Sequence, residues 1–211
     1  MSPDQDLVAP CDQARPETLC GKRIISAPLT APPPEILDRF SLCGWSEDQA
    51  SLLRAMLDDP DLWRFMYEDY PGAITLDAAR SIIALSREAS RHTVRAVQFD
   101  GQIIGQVRMQ WSAQRTPPQS GELSYWLGRA HWGQRLAAPM VALFTWRCLS
   151  IYPALTRITA RVHRENIPSL NVLKRLGWTV IGTQGVWISC EHARGDALDW
   201  PQLHDARALS P

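Results

Sequence analysis

The run of residues from 93 to 163 restricts the possible folds of this chain more than any other stretch. "TVRAVQFDG" and "QIIGQVRMQWS" are β-rich segments that meet at Asp100-Gly101. An Asp-Gly pair between alternating segments is the strongest short-range hairpin signal, because both turn positions favour positive φ. A third segment, "GELSYWLG", follows the loop "RTPPQSG", so three successive strands form an antiparallel meander. From Leu136 onward Met140, Val141, Phe144, Cys148, Leu149 and Tyr152 recur at helical spacing and predict a long helix that buries one face. Pro139 fits that helix only because it falls in the first turn. "RITARVH" then reads as a strand. Strand, long helix and strand in succession imply a right-handed crossover and parallel pairing. The fold class is therefore α/β, with a mixed central sheet that is antiparallel early and parallel at one central pair.

The remaining elements complete that sheet. "ILDRFSLCGW" reads as the first strand, and Ser46 with Gln49 has capping-box spacing ahead of the helix "ASLLRAML". Pro60 opens a short helical stretch, "PDLWRFMY", and a third helix runs from Thr75 to about Ser90. After the parallel pair come "PSLNVLKRLG" as a short helix ended by Gly177, then "WTVIGTQ" and "VWISCEH" as closing strands around Gly185. No internal repeat interrupts this order.

Before residue 36 the pattern changes. The first 35 residues hold seven of the chain's 16 prolines and little apolar periodicity, and read as a flexible arm with at most a short strand near Ile24-Ile25. The expected division is thus an arm over residues 1–35, one domain over 36–192 and a tail over 193–211. A chain of 211 residues suffices for one domain with a sizeable core. Lys and Arg number 22, as do Asp and Glu, so no electrostatic argument favours nucleic acid or a membrane surface. No apolar run approaches the roughly 20 residues of a membrane span, and "MSPDQDLVAP" is polar and proline-broken, unlike a signal peptide. These features imply a cytoplasmic location. The five cysteines contain no C-x-x-C and read as reduced thiols, which leaves metal out of the expectation.

Between the third strand and the long helix lies "HWGQRLAAP". A helix N-terminus carries unpaired N–H groups and the positive end of the helix dipole, and so suits a phosphate. Trp132, Gly133, Gln134, Arg135, Leu136 and Ala137 are placed to use those groups. "GELSYWLGRAHWGQRLAAPMVAL" and "NIPSLNVLKRLGWTVIG" together resemble the GNAT N-acetyltransferase superfamily, specifically its ribosomal-protein-acetylating branch. The resemblance reaches upstream into "RFSLCGWSEDQASLLRAMLDDPDLW" and covers roughly residues 37 to 192. It implies a GNAT fold whose central parallel strands splay apart, and acetyl-CoA as acyl donor. The backbone of Trp126 and Leu127 then faces the donor's pantetheine arm, with Asn166 reaching it from the far side. This chain departs from the pattern at the second loop glycine, which is Arg135, and at the helix glutamate, which is Pro139. An arginine at positive φ costs roughly 1–2 kcal/mol, which a folded domain tolerates; at negative φ the same backbone still presents N–H groups while the guanidinium adds a charge-assisted bond to phosphate.

Acetyl transfer to an amine needs a base, a donor for the developing oxyanion and a group that stabilises the departing thiolate. Glu122, at the start of the strand before the loop, is the candidate base, directly or through a water; it equally suits an exposed strand edge. The N–H of Gly128 or Leu127 is implied as oxyanion donor. A tyrosine that many relatives use as general acid is here Leu173, and Ser169 takes that role by analogy. Ser169 and Asn166 both also fit simple helix capping. Trp111, Trp126 and Trp132 could line an acceptor pocket or fill the core. Tyr67, Glu68, Asp69 and Tyr70 could contact a cationic acceptor or form an ordinary solvated loop.

Two functions follow. The first is acetyl-CoA-dependent N-acetyltransfer by direct attack, with a small-molecule or peptide amine as acceptor, no nucleic acid or membrane partner, and room for a homodimer. The second is a catalytically weak or inactive acyl-CoA-binding sensor or scaffold, which the altered loop and missing tyrosine favour.

Overall fold

A computed structural model of the chain describes residues 31–88, 91–111, 118–198 and 200. Most of the expected arm, with Ile24-Ile25, Cys11 and Cys20, lies outside the described residues, as do 201–211. Seven strands form one sheet in the order β1-β2-β3-β4-β5-β7-β6: β1 (Phe40–Cys43), β2 (His92–Phe99), β3 (Gln102–Trp111), β4 (Ser120–Leu127), β5 (Arg157–His163), β6 (Thr179–Gln184) and β7 (Trp187–Ala193). Every neighbouring pair is antiparallel except β4 with β5, which is parallel. Asp100 and Gly101 turn the β2–β3 hairpin with φ of 50° and 79°, as the dipeptide predicts.

Helices α1 (Pro34–Arg39), α2 (Ala50–Leu57), α3 (Pro60–Trp63) and α4 (Leu76–Arg87) precede the meander, while α5 (Ala137–Ile151) and α6 (Ile167–Arg175) follow it. The expected first strand is corrected by α1. Pro34 sits at the helix start, where its missing N–H is no loss, so the chain coils through Arg39 and extends only from Phe40. Gln49 Oε1 accepts from the Ser46 N–H at 3.1 Å, as the capping-box spacing anticipates. Asp59 caps α3 through the Asp61 N–H, but that helix stops at Trp63, and residues 64–68 turn instead of continuing it. Thr75 caps α4 by accepting from the Ala78 N–H at 3.1 Å.

Two cores flank the sheet. On one side α5 and α6 pack on Val107, Met109, Leu123, Leu127, Ile158 and Val162. The expectation that α5 buries a single face is corrected, because every residue from Ala138 to Thr145 is buried. The helix is covered by the sheet on one side and by the cluster containing Leu173, Leu176 and Leu198 on others. Arg194 ties the chain after β7 to the end of α5, donating to the Leu149, Tyr152 and Leu155 carbonyls. On the opposite side α2, α3 and α4 cover β1 to β3 through Leu53, Leu57, Leu62, Ala79 and Ile83 against Val94, Ala96 and Ile103. Side chains alternate along strands, so Glu122, Ser124, Thr159, Arg161, His163, Trp187 and Ser189 occupy that second face beyond the helices; all are half-buried or exposed. Among the described residues no helix is long and apolar enough to cross a membrane.

Candidate active site

The parallel pairing of β4 with β5 lasts only from Ser120 and Arg157 to Glu122 and Thr159. Beyond it β4 stays bonded to β3 as far as Leu127, and β5 stays bonded to β7 as far as His163. The sheet therefore forks after Glu122. Gly128 N–H donates to the Ile104 carbonyl at 2.9 Å, so alternation turns the Trp126 backbone toward β3 and the Leu127 backbone into the fork. A Cβ on Gly105 would stand 2.2 Å from the Trp126 carbonyl oxygen, which places that oxygen on the β3 side as well. Of the two residues expected to face a ligand with their backbone, Leu127 turns it into the fork and Trp126 turns it toward β3. The Gly128 N–H is likewise engaged, which removes it as an oxyanion donor. Leu127 has its carbonyl bonded to the Trp132 indole at 2.7 Å, while its N–H faces the gap.

Just past the fork a short 3₁₀ turn (Arg129–His131) leads into the loop before α5. Gly133 and Arg135 both have positive φ, 74° and 61°, so the arginine adopts the left-handed conformation that a glycine would hold more readily. Leu136, which follows, is right-handed and lacks a side-chain cap, and the first turn of α5 contains no acid. Left-handed then right-handed residues aim successive N–H groups to one side, the backbone shape that suits an anion, at the positive end of α5. Gln134 secures the loop by donating to the Ala130 carbonyl at 2.8 Å. Arg129 joins it to α3, bonding Asp61 and, at 3.3 Å, Asp59, with its guanidinium 5.9 Å from the Trp132 ring.

Two polar pairs border the fork on opposite faces. On the open face Arg161 Nε donates to Glu122 Oε1 at 2.8 Å, and its guanidinium lies 5.2 Å from the Tyr67 ring. Glu122 and Tyr67 together hold Arg161 more firmly protonated than usual. On the helical face the Tyr125 hydroxyl stands 2.8 Å from Ser169 Oγ. Asn166 caps α6 by accepting from the Ser169 N–H at 3.2 Å, so its carbonyl oxygen serves the helix. Leu173, in the place of the tyrosine acid, is fully buried in the core.

An aromatic chain closes the open face. Phe65 meets His163 at 5.4 Å, His163 meets Trp187 edge-on at 5.6 Å, and Trp187 meets Tyr67 at 5.5 Å. The segment after α3 thereby reaches across to β5 and β7. Tyr67 belongs to this wall, and Glu68 and Asp69 are exposed beside it. Tyr70 does not, since its hydroxyl donates to Asp58 at 2.7 Å and its ring packs on Trp63. Trp111 is core, buried against Tyr152 at 4.5 Å, and Trp126 packs on the α2–α4 core. Sequence reasoning missed Arg161, Tyr125, Phe65 and Trp187, and His163 carried no partner in its sequence neighbourhood. Period-two alternation puts Arg161 on the polar side of β5 and Glu122 on the polar side of β4, and the register of the two strands then brings them to one face. Among the described residues no cluster of His, Cys, Asp and Glu could hold a metal ion.

Comparison with known proteins agrees with this architecture. The family model described as the acetyltransferase (GNAT) domain matches residues 39–179. The uncharacterized N-acetyltransferase p20 of Bacillus licheniformis is 26% identical over 167 residues, covering 77% of this chain and 89% of that protein. A solved structure of Mycobacterium smegmatis RimJ in complex with CoA-disulfide shares 20% identity over 73% of this chain and 81% of that one, with a TM-score of 0.62. RimL, a ribosomal alpha-N-protein acetyltransferase solved in complex with coenzyme A, shares 12% identity over 74% and 95%, with a TM-score of 0.64. The forked mixed sheet and a family match over more than half of its length make this chain a member of the GNAT family, and by that membership an N-acetyltransferase.

Proposed function

We propose that the domain moves an acetyl group from acetyl-CoA to a primary amine by direct attack, without an acyl-enzyme. The fork carries this reading. It turns the Leu127 N–H away from β3, between a carboxylate on one face and a hydroxyl on the other, with a helix N-terminus that has no side-chain cap at its mouth. These residues fit an acyl-CoA. Gly133, Gln134, Arg135, Leu136 and Ala137 would hold its pyrophosphate, Trp132 and Leu127 would border its pantetheine arm, and Asn166 would approach from α6. When bound, acetyl-CoA supplies the thioester-activated acetyl group.

The remaining chemistry falls to the chain. Glu122 takes the amine proton, directly or through a water, and Arg161 fixes the carboxylate in place. Leu127 N–H meets the negative charge that develops on the acyl oxygen. Ser169 donates to the departing thiolate. The aromatic wall of Phe65, His163, Trp187 and Tyr67 borders the acceptor's approach, and the likeness to RimL favours a peptide α-amine over a small-molecule amine. The protein works in the cytoplasm on this reading.

A non-catalytic acyl-CoA-binding role is the second reading, favoured by Leu173, which is fully buried where many relatives carry a tyrosine acid. Thiol release from acetyl-CoA, followed across peptides with free N-termini, amino acids and polyamines, separates the two. Turnover with at least one amine supports transfer. Binding without turnover across the panel contradicts it.

A further inference from the structure

We propose that Tyr125 is a positioning residue for the departing thiolate, acting through Ser169; this rests on the role given to Ser169 above. Tyr125 lies on β4 beyond the point where pairing with β5 ends, and its ring packs against the core beneath α5 and α6. Its hydroxyl reaches the first turn of α6 and stands 2.8 Å from Ser169 Oγ. A second contact, to the Ser169 carbonyl, is longer at 3.5 Å, and that carbonyl is already part of the α6 hydrogen-bond ladder. The Ser169 N–H is taken by Asn166. The Ser169 hydroxyl oxygen is therefore the acceptor best placed for the phenol.

The direction of that bond matters. When Tyr125 O–H donates to Ser169 Oγ, the serine's own hydrogen points away from the phenol and is left to donate to a ligand in the fork. A hydroxyl that accepts one hydrogen bond also donates the next more strongly. Burial pushes the Tyr125 phenol up to about 12, so it stays a neutral donor across the working pH range. No bond is made or broken at Tyr125. It holds the rotor of Ser169, and the proton inventory of acetyl transfer is unchanged.

Four proteins test this by single-turnover acetyl transfer to whichever amine turns over: wild type, Tyr125→Phe, Ser169→Ala and the double variant. Tyr125→Phe is expected to lower the rate constant about ten-fold, leaving acetyl-CoA affinity within about two-fold of wild type. The same substitution is expected to have no further effect once Ser169 is alanine. A ten-fold loss that persists in the Ser169→Ala background overturns the proposal while leaving the role of Ser169 standing. A Ser169→Ala protein as fast as wild type overturns that role, and the proposal with it. Absence of turnover by wild type with every amine contradicts the acetyl-transfer reading itself. Tyr125→Met fills similar core space without a hydroxyl and provides the same comparison if Tyr125→Phe does not fold.

Discussion

Arg161 on β5 donates to Glu122 on β4 at 2.8 Å, from two residues beyond Thr159, with which Glu122 forms the last pair between the two strands. The ion pair spans the point where the sheet divides. It is half exposed on both sides, so its contribution to stability is at most about 1 kcal/mol. Its value lies in fixing a carboxylate at the root of the fork. Glu122→Gln preserves the shape and removes the proposed base. Transfer is expected to slow by about 100-fold or more while the melting temperature barely moves. Thiol release and thermal unfolding of the same preparation check both halves, and an undiminished rate would assign the proton to another group.

Arg135 carries backbone strain that glycine would relieve. Its φ of 61° costs roughly 1–2 kcal/mol, partly offset by the greater freedom of a glycine in the unfolded chain. Arg135→Gly is expected to raise stability by about 1 kcal/mol, or roughly 2–4 °C in melting temperature for a domain of this size. A fall in melting temperature would show that the guanidinium contributes more to folding than its backbone conformation costs.

Gly105 pairs with Leu127 across β3 and β4, where there is no room for a side chain. An added Cβ would meet the Trp126 carbonyl oxygen at 2.2 Å and the Leu127 Cα at 2.9 Å, both backbone atoms that cannot swing aside. Gly105→Ala is expected to destabilise the domain by about 1–3 kcal/mol. It should also weaken acetyl-CoA binding, because the strand edge that faces the fork must shift. Denaturant unfolding and calorimetric binding test the two effects, and a neutral variant would place the strands farther apart than described.

His192 is buried, and among the described residues neither of its ring nitrogens has a hydrogen-bond partner. Burial lowers its pKa from the usual 6.5, with Asp196 opposing the shift more weakly. A depressed folded value means that the native state resists the proton that the unfolded chain accepts. The stability held above about pH 6.5 is therefore lost as pH falls through the lowered folded value. Urea midpoints measured from pH 7.5 down to pH 5 are expected to decline, and His192→Leu should flatten that decline. Parallel pH curves for the two proteins would contradict this origin.

Most of the sheet was legible because period-two alternation and turn residues are local signals. Asp100-Gly101, Gly177 and Gly185 each mark a reversal or an end that the structure contains. The opening segment misled because "ILDRF" is apolar enough for a strand, while Pro33-Pro34 favours starting a helix instead. The strand-loop-helix passage near Arg135 was legible from motif and helix electrostatics. Its partners were not. Which backbone amide faces the fork depends on whether a β4 residue occupies a bonded or non-bonded position opposite β3, and no side-chain pattern encodes that. The Tyr125–Ser169 and Phe65–His163 contacts join residues far apart in sequence, so they follow only from the assembled topology.

Isothermal titration with acetyl-CoA tests the forked cradle most directly, using wild type and Arg135→Glu. Micromolar affinity for wild type, weakened about ten-fold or more by a carboxylate at the mouth of α5, is the predicted result. No heat of binding by wild type, or equal affinity in both proteins, would contradict the placement of the acyl donor in the fork with its phosphates on the Arg135 loop.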